Sequence, residues 1–148
     1  MCHSPAKLPW RPRHEVSSWS SMTGKRRQQG QHGEDIASTY LAQQGYRIAQ
    51  RNYRNRYGEI DIIAWDGSIL VFIEVKTTAA QMFGTPQEKV DTRKQRKLTS
   101  VAMAYVLQHH IRNTSLRFDV IGVTLTPQGV PDVTHIQAAF DPSDHFSY

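Results

Sequence analysis

The sequence predicts an α/β fold, a mixed β-sheet with a helix on each face, from three observations. Ile36, Ala37, Tyr40 and Leu41 recur at helical spacing, and Gly45 suits the position just past a helix end. Two apolar runs between Gly58 and Lys76 flank Asp66-Gly67, a strong hairpin signal, because a type I′ turn needs positive φ at both central residues. A second helical stripe, Leu98, Val101, Ala102 and Tyr105, lies between that hairpin and another strand-like run, and so acts as a crossover.

The elements follow in order. Residues 1–24 are rich in Pro and Ser, carry Trp10 and Trp19, and show no periodicity. They read as a disordered arm, in which Met22 is an alternative start and His3 and His14 lack any supporting ligand pattern. A helix is expected over residues 28–44 and a first strand over 46–53. The hairpin supplies the second and third strands. Thr85-Pro86-Gln87-Glu88 reads as a capping box with proline at the first helical position, so the second helix should run from there to about His110. His109 and His110 then mark its end. A fourth strand is expected over 116–125 and a fifth over 133–138, with Pro127 and Pro131 in the loop between them. The domain is bounded at 25–140, leaving 141–148 as a tail.

A chain of 148 residues suits one core, and 39% hydrophobic with 21% charged residues is ordinary for a globular protein. No apolar run approaches the ~20 residues of a membrane span, and the amino-terminal segment has no apolar core of signal-peptide length. The sole cysteine, Cys2, excludes an internal disulfide framework and a cysteine-rich zinc site. A cytoplasmic location without membrane contact is the expectation. The net charge of +5 and pI near 9.6 favour polyanionic partners. Basic residues gather at Lys25-Arg26-Arg27, at Arg47, Arg51, Arg54 and Arg56, and at Lys89, Arg93, Lys94, Arg96 and Lys97; residues 128–148 contain none.

The hairpin holds the chemistry. Charged side chains are costly inside apolar strands unless they are paired or bind a cation. Here Glu59, Asp61, Glu74 and Lys76 interrupt two such strands. With Asp66-Gly67 as a two-residue turn, Trp65 faces Ser68, Asp61 faces Phe72 and Glu59 faces Glu74. The four charged residues then share one face, since side chains alternate with period 2. Asp61 and Glu74 become diagonal neighbours, with Cα atoms roughly 7–8 Å apart. Two carboxylates so placed can hold one hard divalent cation, and oxygen ligands suit Mg²⁺ or Mn²⁺ rather than zinc. A cross-strand salt-bridge ladder would use the same residues.

Asp61 followed thirteen residues later by Glu74-Val75-Lys76 matches the PD-(D/E)xK nuclease signature. The wider set is Gly30-x-x-Gly33-Glu34-x-x-Ala37-x-x-Tyr40-Leu41, Gly45-Tyr46, Gly58-Glu59-Ile60-Asp61-Ile62-Ile63-Ala64 and Phe72-Ile73-Glu74-Val75-Lys76. It resembles the YraN family, small bacterial proteins similar to archaeal Holliday-junction resolvases, over roughly residues 30–125. The resemblance implies a three-layer α/β/α, restriction-endonuclease-like core. It also implies a Mg²⁺- or Mn²⁺-dependent endonuclease acting on DNA, branched DNA included.

In that reading Asp61 and Glu74 are metal ligands, the Val75 carbonyl is a third, and Glu34 completes the site. Lys76 orients the attacking water or holds the phosphate. Glu34 has a second reading, as an acid favoured in the first turn of its helix. Lys94, Gln95 and Lys97 on the second helix, with Arg54 and Arg56, are the expected nucleic-acid contacts, and Gly84 and Thr85 offer backbone donors to a phosphate. A two-fold branched substrate implies a homodimer. The competing reading is a non-catalytic nucleic-acid-binding protein on the same fold.

Overall fold

A computed structural model describes residues 18–79 and 90–142, with side chains from residue 24 onward. Helix α1 spans Ser18–Gln43, so it begins ten residues before the expected start at 28, and the backbone of 18–24 is helical rather than part of a disordered arm. Its first half, with Lys25, Arg26, Arg27, Gln28, Gln29 and Gln31, has good helix formers but no apolar stripe. Periodicity therefore had nothing to detect there. The helix ends as expected. Gly45 has φ +89, its N–H donates to the Ala42 carbonyl, and the Tyr46 N–H donates to the Leu41 carbonyl at 3.0 Å. These are the two bonds of a Schellman motif, with Leu41 and Tyr46 supplying its apolar contact in the core.

Strand β1 (Arg47–Asn55) pairs antiparallel with β2 (Gly58–Asp66), and β2 with β3 (Ile69–Ala79). Helix α2 (Thr92–Gln108) crosses over to β4 (Leu116–Leu125), which lies parallel to β3, and β5 (Asp132–Phe140) returns antiparallel to β4. The sheet order is β1-β2-β3-β4-β5. The helices cover opposite faces. Leu98, Val101, Ala102 and Tyr105 of α2 pack on Ile63, Leu70, Phe72 and Phe118, whereas Ala37 and Leu41 of α1 pack on Ile62, Val71, Ile73 and Ile121. This is the three-layer α/β/α core with a mixed sheet.

Two expectations are corrected. The hairpin turn is Gly67-Ser68, with Asp66 opposite Ile69 and Ile63 opposite Phe72. Gly67 alone takes positive φ, +58, the pattern of a type II′ turn with glycine first. Every pairing moves by two residues, an even shift, so the side-chain faces are preserved within the ladder from Ile62 to Ile73. Helix α2 begins at Thr92, not after Thr85. Asp91 is its N-cap, and the Asp91 carboxylate accepts from the Lys94 N–H at 2.8 Å. The proposed capping box, Gly84 and Thr85 lie outside the described residues, as do 1–17 and 143–148.

On the α1 face, Asp119 is buried at the centre of a polar network. Arg117 grips both its oxygens at 2.8 and 3.0 Å and also reaches Asp66 and the Tyr46 hydroxyl. His135 approaches at 2.8 Å, and the Ala138 N–H donates at 3.1 Å. A register shift in the β4–β5 pairing, with Ala138 at φ +50, frees that N–H for the carboxylate. Burial alone would raise the Asp119 pKa; the bonds from His135, Arg117 and Ala138 outweigh it and hold the group below its usual range. A depressed folded pKa means that its stabilisation is present above the unfolded value of ~3.9 and is lost as pH falls through the folded one. Asp119→Asn should cost about 1–2 kcal/mol at pH 7. Urea midpoints of wild type and variant should converge below pH 4; a constant gap would refute this account of Asp119.

Candidate active site

The β2–β3 ladder stops at Ile62 and Ile73, one residue short of Asp61 and Glu74. Alternation also breaks here, because Ile60 and Ile63 both join the core under α2. Asp61 stands at this break, only 9% exposed. Its Oδ2 accepts from the Val75 N–H at 2.8 Å, so a side chain takes over where the ladder ends. Burial first, then the charge of Glu74, push its pKa up to about 8; the Val75 hydrogen bond pulls it down, and Glu34 and Glu59 add repulsion. Four carboxylates from α1, β2 and β3 thus act on one another.

Glu74 lies on the α2 face and forms an ion pair with Lys94 from the first turn of α2. Burial would lower the Lys94 pKa, but the Glu74 hydrogen bond and charge, with Asp61 and Glu59, outweigh it and hold the ammonium above its usual range. A cation therefore already sits among these acids. Glu34 is carried on α1, beside Gly33. A Cβ built on Gly33 would lie 1.8 Å from Thr77 Oγ1, so only glycine lets α1 approach β3 this closely. Burial raises the Glu34 pKa, offset in part by Arg51 and by a hydrogen bond with Asn52. Lys76 is half-buried two residues past Glu74, and its neighbour on β4 is Gly122, which places no side chain beside it.

Glu59, Glu74, Asp91, Lys94 and Lys97 line a cleft of about 390 Å³ where β2 begins and α2 starts. Of the expected metal-site residues only Glu74 lines this cleft; Asp61 and Glu34 act with it through charge. The remaining expected contacts are distributed. Gln95 donates from its amide to the Val90 carbonyl at 2.9 Å, tying the loop to α2. Arg54 is paired at 2.7 Å with Glu59, its cross-strand partner on β2, and the shifted β2–β3 register removes the expected Glu59–Glu74 opposition. Arg56 stacks on Tyr57. Sequence reasoning missed Asn52 and the Lys94–Glu74 pair. Asn52 takes φ +52, a conformation in which Asn is enriched, but nothing local signals its partner.

Asp61 and Glu74 repel one another, and Glu74 is paired with Lys94. Among the described residues, no three His, Cys, Asp or Glu side chains converge tightly enough to enclose a metal.

Comparison with known proteins agrees with this core. The model of uncharacterised protein family UPF0102 matches residues 33–123. A UPF0102 protein of Moorella thermoacetica is 49% identical over 120 residues, covering 80% of this chain and 100% of that protein. One from Geobacter sulfurreducens is 43% identical over 112 residues, 76% of this chain and 88% of the relative. No helix among the described residues is long and apolar enough to cross a membrane. The chain belongs to the uncharacterised protein family UPF0102, as its YraN-like motifs anticipate.

Proposed function

We propose that this chain is a Mg²⁺- or Mn²⁺-dependent endonuclease hydrolysing DNA phosphodiester bonds. The observation that carries the reading is buried Asp61, repelled by Glu74, Glu34 and Glu59 where the hairpin ladder ends, with Lys76 on the same strand as Glu74. Asp61 and Glu74 would hold the cation, with the Val75 carbonyl as a further oxygen and Glu34 behind them. The bound cation would polarise a phosphoryl oxygen and acidify water. The Val75 N–H fixes one Asp61 oxygen, which limits carboxylate rotation. Lys94, once released from Glu74, is free to meet the substrate phosphate, and Lys97 lines the same cleft. Lys76 orients the attacking water or neutralises the phosphate.

The non-catalytic reading draws on one observation, the lack of a tight three-acid cluster among the described residues. Cleavage of labelled linear, flapped and four-way DNA with Mg²⁺ or Mn²⁺ separates the two. Wild type should cut at least one substrate, and Lys76→Ala should lose at least ~100-fold in rate while keeping most DNA affinity. Binding without cleavage on all three substrates would leave the non-catalytic reading.

A further inference from the structure

A second, larger cleft of about 800 Å³ adjoins the first. One wall is the turn between β1 and β2, with Asn55, Arg56 and Tyr57; the other is α2, with Arg96, Ser100 and Leu107. The two clefts are continuous in the chain. Tyr57 is followed by Gly58, and Arg96 and Ser100 by Lys97 and Val101, all of which line the first. No acidic side chain lines the second cleft, unlike the first.

Its turn is held firmly. Asn55 accepts from the Tyr57 N–H at 2.9 Å and donates to the Val101 carbonyl at 3.2 Å, fixing the turn to α2. Tyr57 is 41% exposed, and the Arg56 guanidinium carbon lies 4.8 Å from its ring centroid. Leu107 is 71% exposed on the opposite wall. A preset aromatic face, a planar cation and an apolar wall offer surfaces for stacking. A paired duplex hides its base faces and presents mainly phosphates, so it could use the arginines but not the ring. Only unpaired bases can stack on the tyrosine.

We infer that this cleft binds an unpaired DNA strand running on from the scissile phosphate, with bases stacked at Tyr57 and phosphates met by Arg56 and Arg96. The inference rests on the nuclease reading for what lies next door, and it narrows the substrate class to DNA with a single-stranded segment beside the cut.

The test is fluorescence anisotropy in EDTA, where cutting is suppressed, with a labelled single strand, a flapped duplex and a blunt duplex. Wild type should bind the single strand and flap more tightly than the blunt duplex. Tyr57→Ala should weaken binding to both by roughly 5- to 100-fold and leave the blunt duplex within about two-fold. Tyr57→Phe should restore it, since the ring rather than the hydroxyl stacks. Tyr57 is exposed, and a matched Tm would show that each variant folds. Blunt duplex bound as tightly as the flap, or unchanged binding by Tyr57→Ala, would overturn this strand path. Cleavage by wild type that is lost in Lys76→Ala would still uphold the nuclease. No binding to any of the three DNAs together with no cleavage would overturn both.

Discussion

Asp61→Asn should make the cation-free protein more stable and deaf to divalent cations. The folded pKa of Asp61, about 8, lies above the unfolded value of ~3.9. A raised pKa makes a group's contribution most favourable below the unfolded value and progressively less so as pH rises through the folded one. At pH 7 without a cation, folding must therefore protonate Asp61 or bury its charge among other acids. An amide removes that cost and still accepts from the Val75 N–H. A gain on the order of 2 kcal/mol at pH 7 is expected, several degrees in Tm, shrinking towards zero near pH 4. Millimolar Mg²⁺ or Mn²⁺ should raise the Tm of wild type, because a ligand bound only by the folded state stabilises it, and should leave Asp61→Asn unmoved. Cleavage should vanish in the same variant. A lower Tm for Asp61→Asn in EDTA would mean that the ionised carboxylate is well satisfied as it stands.

The second large effect should come from a single methyl group. Gly33→Ala puts a Cβ 1.8 Å from Thr77 Oγ1 and 2.9 Å from Thr77 Cβ. Threonine is branched at Cβ and stiff at χ1, so rotation offers little relief. Helix α1 must lift from β3, and the loss should be about 3 kcal/mol, despite alanine's better helix propensity. Thr77→Ala in the same chain removes the hydroxyl but not the Cβ, so it should recover only part of the loss. Because Glu34 follows Gly33, displacement of α1 should also weaken the cation-induced Tm shift. Urea unfolding of the single and double variants reads both effects. A stable Gly33→Ala with an unchanged cation response would show that α1 does not need this contact.

The sheet and the nearness of Asp61 to Glu74 were legible because they rest on local pattern. In a regular ladder, two apolar runs with carboxylates at even spacing would hold them on one face whichever two-residue turn forms; the break of alternation between Ile60 and Ile63 left no sign in the sequence. Asp66-Gly67 and Gly67-Ser68 are both good turn pairs, and the choice between them moved partners without moving faces. The beginning of α1 was not legible, since a helix with no buried stripe leaves only propensity as a sign. The closeness of α1 to β3 was equally hidden, because Gly33 in a polar helix looks like a weak point until Thr77 is seen against it. An acid inside the apolar fourth strand, such as Asp119, signals a need for a partner such as an arginine. Its other companions, Tyr46, Asp66 and His135, are brought in from distant strands and leave no local trace. The Lys94–Glu74 pair likewise depends on where the crossover lands.

Sheet order has one more consequence, for what happens when two copies of this chain meet. The outermost strands are β1 and β5, and each is irregular along its length. The β1 pairing shifts between Ile48 and Gln50, Asn52 is left-handed, and the strand carries Arg47, Arg51 and Arg54. On the other side β5 has its own register shift and left-handed Ala138. A straight strand from another molecule would find donors and acceptors out of step at both margins. Such margins guard against edge-to-edge aggregation. Any two-fold partnership formed by this chain is thereby steered away from extending the sheet and towards its helices and loops.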